Sequence, residues 1–144
     1  MRLLICSEAE ADLHAYRRSR EPGLAVRFIR GRRCAVLDRC MGEFAAAMQL
    51  PYCFEGTWAS LRQSLAELVW PEGTRLMLVV TCVNRVLPRA GDEFAAMLRT
   101  LADFAQDSGG AGDVQVVFHA EPRYQADVQR RIVSTGINIQ LVEE

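Results

Sequence analysis

Residues 75–83 read RLMLVVTCV. The run is almost continuously apolar and rich in valine, the pattern of a strand covered on both faces rather than one. Such a strand needs helices above and below it, so this stretch predicts a central strand in an α/β layer structure. Working upstream, Trp58, Leu61, Leu65 and Leu68 fall on one helical face, behind Thr57 as N-cap and before Pro71. The opposite face of that helix carries Ser60, Arg62, Gln63, Ser64 and Glu67. Before it, Leu37, Met41, Phe44, Ala45 and Met48 mark an amphipathic helix over 37–49, ended by Pro51. Residues 25–30 (AVRFIR) alternate apolar and charged and stop at Gly31, as a half-exposed strand would.

Downstream of the central run the alternation continues. Asp92 offers an N-cap after the turn-like Pro88-Arg89-Ala90-Gly91, for a helix burying Phe94, Met97, Leu98, Leu101, Phe104 and Ala105. The segment 108–112 (SGGAG) breaks that helix. Residues 114–120 (VQVVFHA) predict a strand, 124–133 a short helix and 137–142 (INIQLV) a last strand. At the front, residues 2–6 read as a short strand and 9–18 as a helix, joined to the rest through Glu21-Pro22-Gly23. Strands separated by helices predict a largely parallel sheet.

A chain of 144 residues is the size of one domain, able to bury about two-thirds of its unfolded surface without disulfides or a structural metal. All 17 basic residues are Arg, against 18 acids, for a net charge of −1. That balance excludes a surface uniformly built for nucleic acid or anionic lipid. It also hides two opposite halves: residues 1–40 carry a net +4 and the remainder a net −5. No apolar stretch approaches the roughly 18 residues of a membrane span, and Glu8, Glu10 and Asp12 follow the first apolar run at once. A cytoplasmic protein is expected, with no membrane partner. Five cysteines (Cys6, Cys34, Cys40, Cys53 and Cys82) form no C-x-x-C pair and lie mostly in apolar segments, as reduced, buried thiols do.

The chemistry-bearing motifs are sparse. There is no Gly-rich phosphate loop followed by Lys, no G-x-S-x-G elbow and no H-E-x-x-H. Cys53 with His119 is the one nucleophile–base pair to weigh, and a partly buried strand histidine is the preferred reading of His119. Neither His119 nor His14 sits beside a cysteine pair, so no metal site is expected. Asp92-Glu93 suits a helix N-terminus and Glu143-Glu144 a solvated chain end. Arg27, Arg30, Arg32 and Arg33 read as a charged strand edge in preference to a phosphate-binding patch. No catalytic residue, cofactor or nucleic-acid partner follows from these residues.

One segment exceeds what a helix connection requires: residues 50–58, LPYCFEGTW, with three aromatics. Large rigid side chains in a loop either plug the core beneath or anchor a partner. Phe54 and Trp58 are expected to point inward, and Tyr52 and Glu55 to face solvent beside Arg62, Gln63 and Glu67.

The strand ending at Gly31, the helix closing on Leu50-Pro51, the aromatic loop and the helix after Thr57 together resemble the barstar family of ribonuclease inhibitors. The resemblance covers about residues 25–120 and includes the strand after Trp70-Pro71, the third helix and the strand ending at Ala120. It implies a three-stranded parallel sheet flanked by helices, and an inhibitor that plugs a nuclease active site with the loop and the acidic face of the next helix. Carboxylates would then stand in for substrate phosphates. The sequence departs from the family at those positions. Cys53 replaces a tyrosine, Glu55 a glycine and Thr57 an asparagine; Ala59 and Gln63 align with the helix aspartates, Arg62 with an aromatic and Arg89 with a distal acid.

The expectation is therefore one domain over 1–144, with a barstar-like α/β core at 25–120 and terminal additions at 1–24 and 121–144. The core would have a small, mainly parallel sheet flanked by helices in two or three layers. Each addition offers a strand and a helix that widen the sheet at one or both edges, with Ile137, Ile139 and Leu141 turned inward. These either cover the edges or form a surface for a partner or a second copy of the chain. The expected binding set is Tyr52, Phe54, Glu55, Thr57, Arg62, Gln63, Glu67 and Arg89, toward a nuclease or other toxin domain. The alternative is an interaction module on the same scaffold with a partner that is no nuclease.

Overall fold

The computed structural model describes residues 1–50, 55–107 and 113–143. Among the described residues, five strands are interleaved with five α-helices, the second and third of which follow one another. They are β1 (Arg2–Ile5), α1 (Glu8–Ser19), β2 (Leu24–Arg30), α2 (Leu37–Met48), α3 (Trp58–Glu67), β3 (Arg75–Thr81), α4 (Gly91–Asp107), β4 (Asp113–Ala120), α5 (Gln125–Ser134) and β5 (Gln140–Glu143). All strands run parallel in one sheet of order β2-β3-β4-β1-β5. The terminal strands therefore extend the sheet at one edge only, beyond β4, while β2 forms the other edge.

The sheet divides the core in two, giving three layers. One face packs against α2, α3, α4 and α5 and holds four buried phenylalanines, Phe44, Phe94, Phe104 and Phe118. Among the described residues, the other is covered by α1 alone, over a smaller cluster of Leu4, Ala11, Ala15, Met77, Val79 and Val117. Leu76 to Thr81 are all buried, which is why the 75–83 run is apolar at nearly every position.

Several boundaries differ from the sequence-based expectation, each for a local reason. β3 ends at Thr81 because Cys82 turns into the left-handed region (φ 48°) and a single 3-10 turn follows at Val83–Arg85. α4 begins at Gly91, which puts Asp92 and Glu93 inside the first turn, where their charges meet the positive end of the helix. α2 ends on a left-handed Gln49 (φ 51°), whose backbone N–H caps the last turn, before Pro51 is reached. β5 starts only at Gln140, so Ile137 and Ile139 pack against the main core from the segment before the strand. The expected breaker at 108–112 lies outside the described residues.

Gly31, just past the end of β2, packs tightly against the backbone at the end of β3. A Cβ there would stand 2.1 Å from the Thr81 carbonyl oxygen and 2.4 Å from that of Cys82, so no other residue fits without moving backbone. None of the described helices is long and apolar enough to cross a membrane.

Candidate functional site

The loop-and-helix segment is organised by its caps. Gly56 takes a left-handed turn (φ 75°), and Thr57 then starts α3 with a reciprocal box. The Thr57 hydroxyl accepts the Ser60 N–H at 3.0 Å, and the Ser60 hydroxyl oxygen accepts the Thr57 N–H at 3.0 Å. Trp58 is half-buried: its ring meets Phe44 edge-on at 6.2 Å, and its indole N–H donates to Glu93 Oε2 at 2.6 Å. That bond ties the start of α3 to the first turn of α4. Leu61 and Leu65 are fully buried beneath, leaving Arg62, Gln63 and Glu67 along the outer side.

The expected binding residues fall into three groups. Glu55, Thr57, Arg62, Gln63 and Glu67 follow one another along the end of the loop and α3. Arg89 is exposed in the turn ahead of α4. Tyr52 and Phe54 lie outside the described residues, as does Cys53. The polar groups on α3 are largely turned on their neighbours: Arg62 Nη2 stands 2.7 Å from Asp107 Oδ2, and the Gln63 amide donates to Glu67 Oε1 at 3.1 Å. Glu55 instead shares a shallow groove of about 330 Å³ with Asp38, Met41, Gly42, Ala45 and Gly56. Asp38 was hidden in the sequence, because an acid in the first turn of α2 is fully accounted for by the helix dipole.

A second polar cluster sits at the carboxyl ends of the strands. Ser7 caps α1, exchanging hydrogen bonds with Glu10 at 2.9 and 3.2 Å. Beside it, the Arg32 guanidinium grips Glu8 through three contacts of 2.6–3.2 Å and reaches Glu121 at 4.0 Å. This contact holds the Glu8 carboxyl below the ordinary carboxylate range. Burial, followed by the Glu8 charge, pushes the nearby Cys82 thiol up. Ligand atoms of Glu8, Cys82 and Glu121 lie within 4.8 Å of one another, but Arg32 already supplies the positive charge that a cation would bring. The cluster works as an ion-paired lock across the ends of β1, β2, β3 and β4.

His119 belongs to the same lock. It is fully buried; Nδ1 accepts the Cys82 N–H at 3.1 Å, so the proton sits on Nε2, which donates to the Cys6 carbonyl at 2.9 Å. Both ring nitrogens are thus engaged with backbone, the role of a core histidine. The described cysteines, Cys6, Cys34, Cys40 and Cys82, are all buried. A hydrogen bond with Cys34, together with burial, raises the Cys40 thiol far above its usual range. On the helix-rich side, Arg131 lies 3.8 Å from the centre of the Phe94 ring and donates to the Val86 and Leu87 carbonyls at 2.8 Å each. Burial lowers its pKa, and its work is to hold the turn after β3.

This architecture defines a small parallel α/β protein whose described polar clusters are ion pairs and caps. Barstar (barnase inhibitor) is the family whose profile matches, over residues 24–120, and the chain belongs to that family. No curated protein sequence matches it. Among solved structures, the fold is similar to one described as Drosophila ORC bound to DNA, at 11% identity and a TM-score of 0.60. That match covers 98% of this chain and 25% of the other. Cdc6p from Pyrobaculum aerophilum matches at 15% identity and a TM-score of 0.60, covering 97% and 38%. Drosophila ORC bound to GC-rich DNA and Cdc6 matches at 14% and 0.55, covering 98% and 47%. The chain thus spans less than half the length of these structural relatives, and the likeness concerns the fold.

Proposed function

We propose that this protein is a non-enzymatic inhibitor or immunity protein that binds and blocks a ribonuclease or other toxin domain in the cytoplasm. The whole of 1–144 acts as one domain, with residues 25–120 as the inhibitor core and the ends as additions to it. Binding runs through the loop and α3 around 52–67, with Tyr52, Phe54, Glu55, Thr57, Arg62, Gln63, Glu67 and Arg89 as the contact set. The observation that carries this reading is the barstar match over 24–120, which includes the loop and helix that the family uses to reach its target.

The charges on this surface favour a partner less basic than a phosphate-binding active site. Ala59 and Gln63 stand where the family carries acids, and Arg62 is paired with Asp107. With Glu67 taken by Gln63 and Asp107 by Arg62, Glu55 and Asp38 in their shared groove suit one or two basic side chains of a partner. The same sparse charge supports a second reading, an interaction module on the inhibitor scaffold with a partner that is no nuclease.

Co-expression with nuclease and toxin domains encoded beside its gene tests the first reading. Neutralisation of one such domain, lost in Tyr52→Ala and Arg62→Glu variants that keep wild-type stability, is the expected result. Trp58→Ala should chiefly destabilise the fold, because it removes both the Phe44 contact and the Glu93 bond. Binding only to a metabolic or structural protein would sink the inhibitor reading and leave the module.

A further inference from the structure

The side of the sheet away from α3 and α4 carries a groove of about 620 Å³ between α1 and the edge strand β2. Its floor is Val26, Phe28 and Ala15, and the half-exposed ring of Tyr16 stands on its α1 wall. Its upper end is basic. Arg30, Arg32 and Arg33 line it there, and a further shallow groove continues past Arg33 to Arg39. Arg32 is committed to Glu8. Arg33 is 65% exposed with only a 3.7 Å contact to Glu43, and the Arg30 side chain makes no ion pair among the described residues.

The backbone beside this groove is open as well. The Arg75 N–H bonds the Gly23 carbonyl, which sets the alternation: Ala25, Arg27 and Ile29 turn their peptide groups toward β3, while Val26, Phe28 and Arg30 turn theirs outward. Three of the outward groups are taken: the Val26 carbonyl by Arg27 Nη1, the Arg30 N–H by Glu43 and the Arg30 carbonyl by the Cys34 thiol. The Val26 N–H and both polar groups of Phe28 have no partner among the described residues. The residues that line the groove with their side chains are thus the ones that offer edge hydrogen bonds.

We propose that this edge takes an extended acidic segment of a protein partner by strand addition. The segment hydrogen-bonds to the backbone of Val26 and Phe28, lays an apolar side chain on Phe28, and sets its carboxylates against Arg30 and Arg33. Charge complementarity selects the occupant. A second copy of β2 would bring Arg27 and Arg30 against their own kind, which is the usual device against edge pairing, whereas an acidic strand converts the same residues into attraction. A nucleic-acid strand fits less well, because the floor is apolar and a phosphate backbone, which has no donors, cannot complete the edge N–H and C=O groups of Phe28.

A displayed library of random peptides about twelve residues long, selected on the full-length protein, tests this. Enrichment of peptides alternating apolar and acidic residues is expected, with slowed amide exchange at Val26 and Phe28 on binding. The Arg30→Glu/Arg33→Glu variant, whose substitutions fall on exposed side chains, should weaken the enriched peptide by about tenfold or more. Val26→Pro removes an edge N–H without touching the bonds to β3, and should weaken it too while the circular dichroism stays unchanged. Four outcomes would overturn the proposal: no acidic bias, affinity unmoved by the charge reversal, protection at α3 instead of β2, or displacement of the peptide by an oligothymidine of equal length.

Discussion

The two faces of the sheet are built to different standards. Against α2–α5, the strands present Ile29, Leu76, Leu78, Val80, Val116 and Phe118 to a continuous apolar layer that includes Phe44, Phe94 and Phe104. Against α1, they present Met77, Val79 and Val117 to two alanines, and Val26 and Phe28 stay partly exposed beside the groove. One helix cannot cover a five-stranded sheet, and the uncovered part lies at the Arg-rich edge. The difference teaches where this fold keeps its stability and where it leaves surface for contact. Proteins draw binding surfaces from thinly packed regions, because those regions tolerate exposed apolar and charged side chains without loss of the core.

The sharpest way to break this comparison is a pair of truncations. Phe44→Ala on the helix-rich face should cost about 3–5 kcal/mol in urea unfolding, since it empties a ring-sized space and removes the partner of Trp58. Val79→Ala on the α1 face should cost about 1.5 kcal/mol, the value of two methylene-sized groups. Equal costs would mean that the two layers carry equal weight. Next in size is the joint between them. Gly31→Ala should destabilise by about 3 kcal/mol, because a Cβ there collides with the Thr81 and Cys82 carbonyls and must part β2 from β3.

The smallest effect concerns the lock at the strand ends. Arg32 depresses the Glu8 pKa, so the pair stabilises the fold fully above the ordinary carboxylate range, and the stabilisation is lost as pH falls through the depressed value. Arg32→Gln should therefore be less stable than wild type at pH 7, with the gap closing below about pH 4. Both side chains are partly solvated, which keeps the gap small. A gap that persists in acid would show that Arg32 acts through packing instead of charge.

The fold was legible where one segment decided its own state. The apolar strand from Arg75, which ends two residues early at Thr81, the helical spacing of Leu37 to Met48 and the Thr57 cap each reappear, because burial on a fixed period leaves a local signature. Strand order was not legible in the same way: β1 and β5 could have joined either edge, and only the docking of β1 on β4 decides that. The site was legible in part. Arg62 and Gln63 were visible as outward positions on a helix, but their engagement with Asp107 and Glu67 depends on which rotamers meet. The Glu8–Arg32–Glu121 lock joins residues far apart in the chain, and it exists only because four strand ends converge. No spacing rule reaches across that distance.

The placement of β1 also sets the order in which the molecule can assemble. Residues 2–5 pair with 117–120 on one side and with 140–143 on the other, although they are the earliest of these segments to be synthesised. The β2–β3–β4 unit can zip through successive neighbouring crossovers, whereas β1 must wait, already made and unpaired, for β4. Closing so long a loop is slow. Until β4 emerges, the apolar LLI of β1 has no strand to pair with, and the acids that start at Glu8 close behind it stand where charged gatekeepers oppose aggregation.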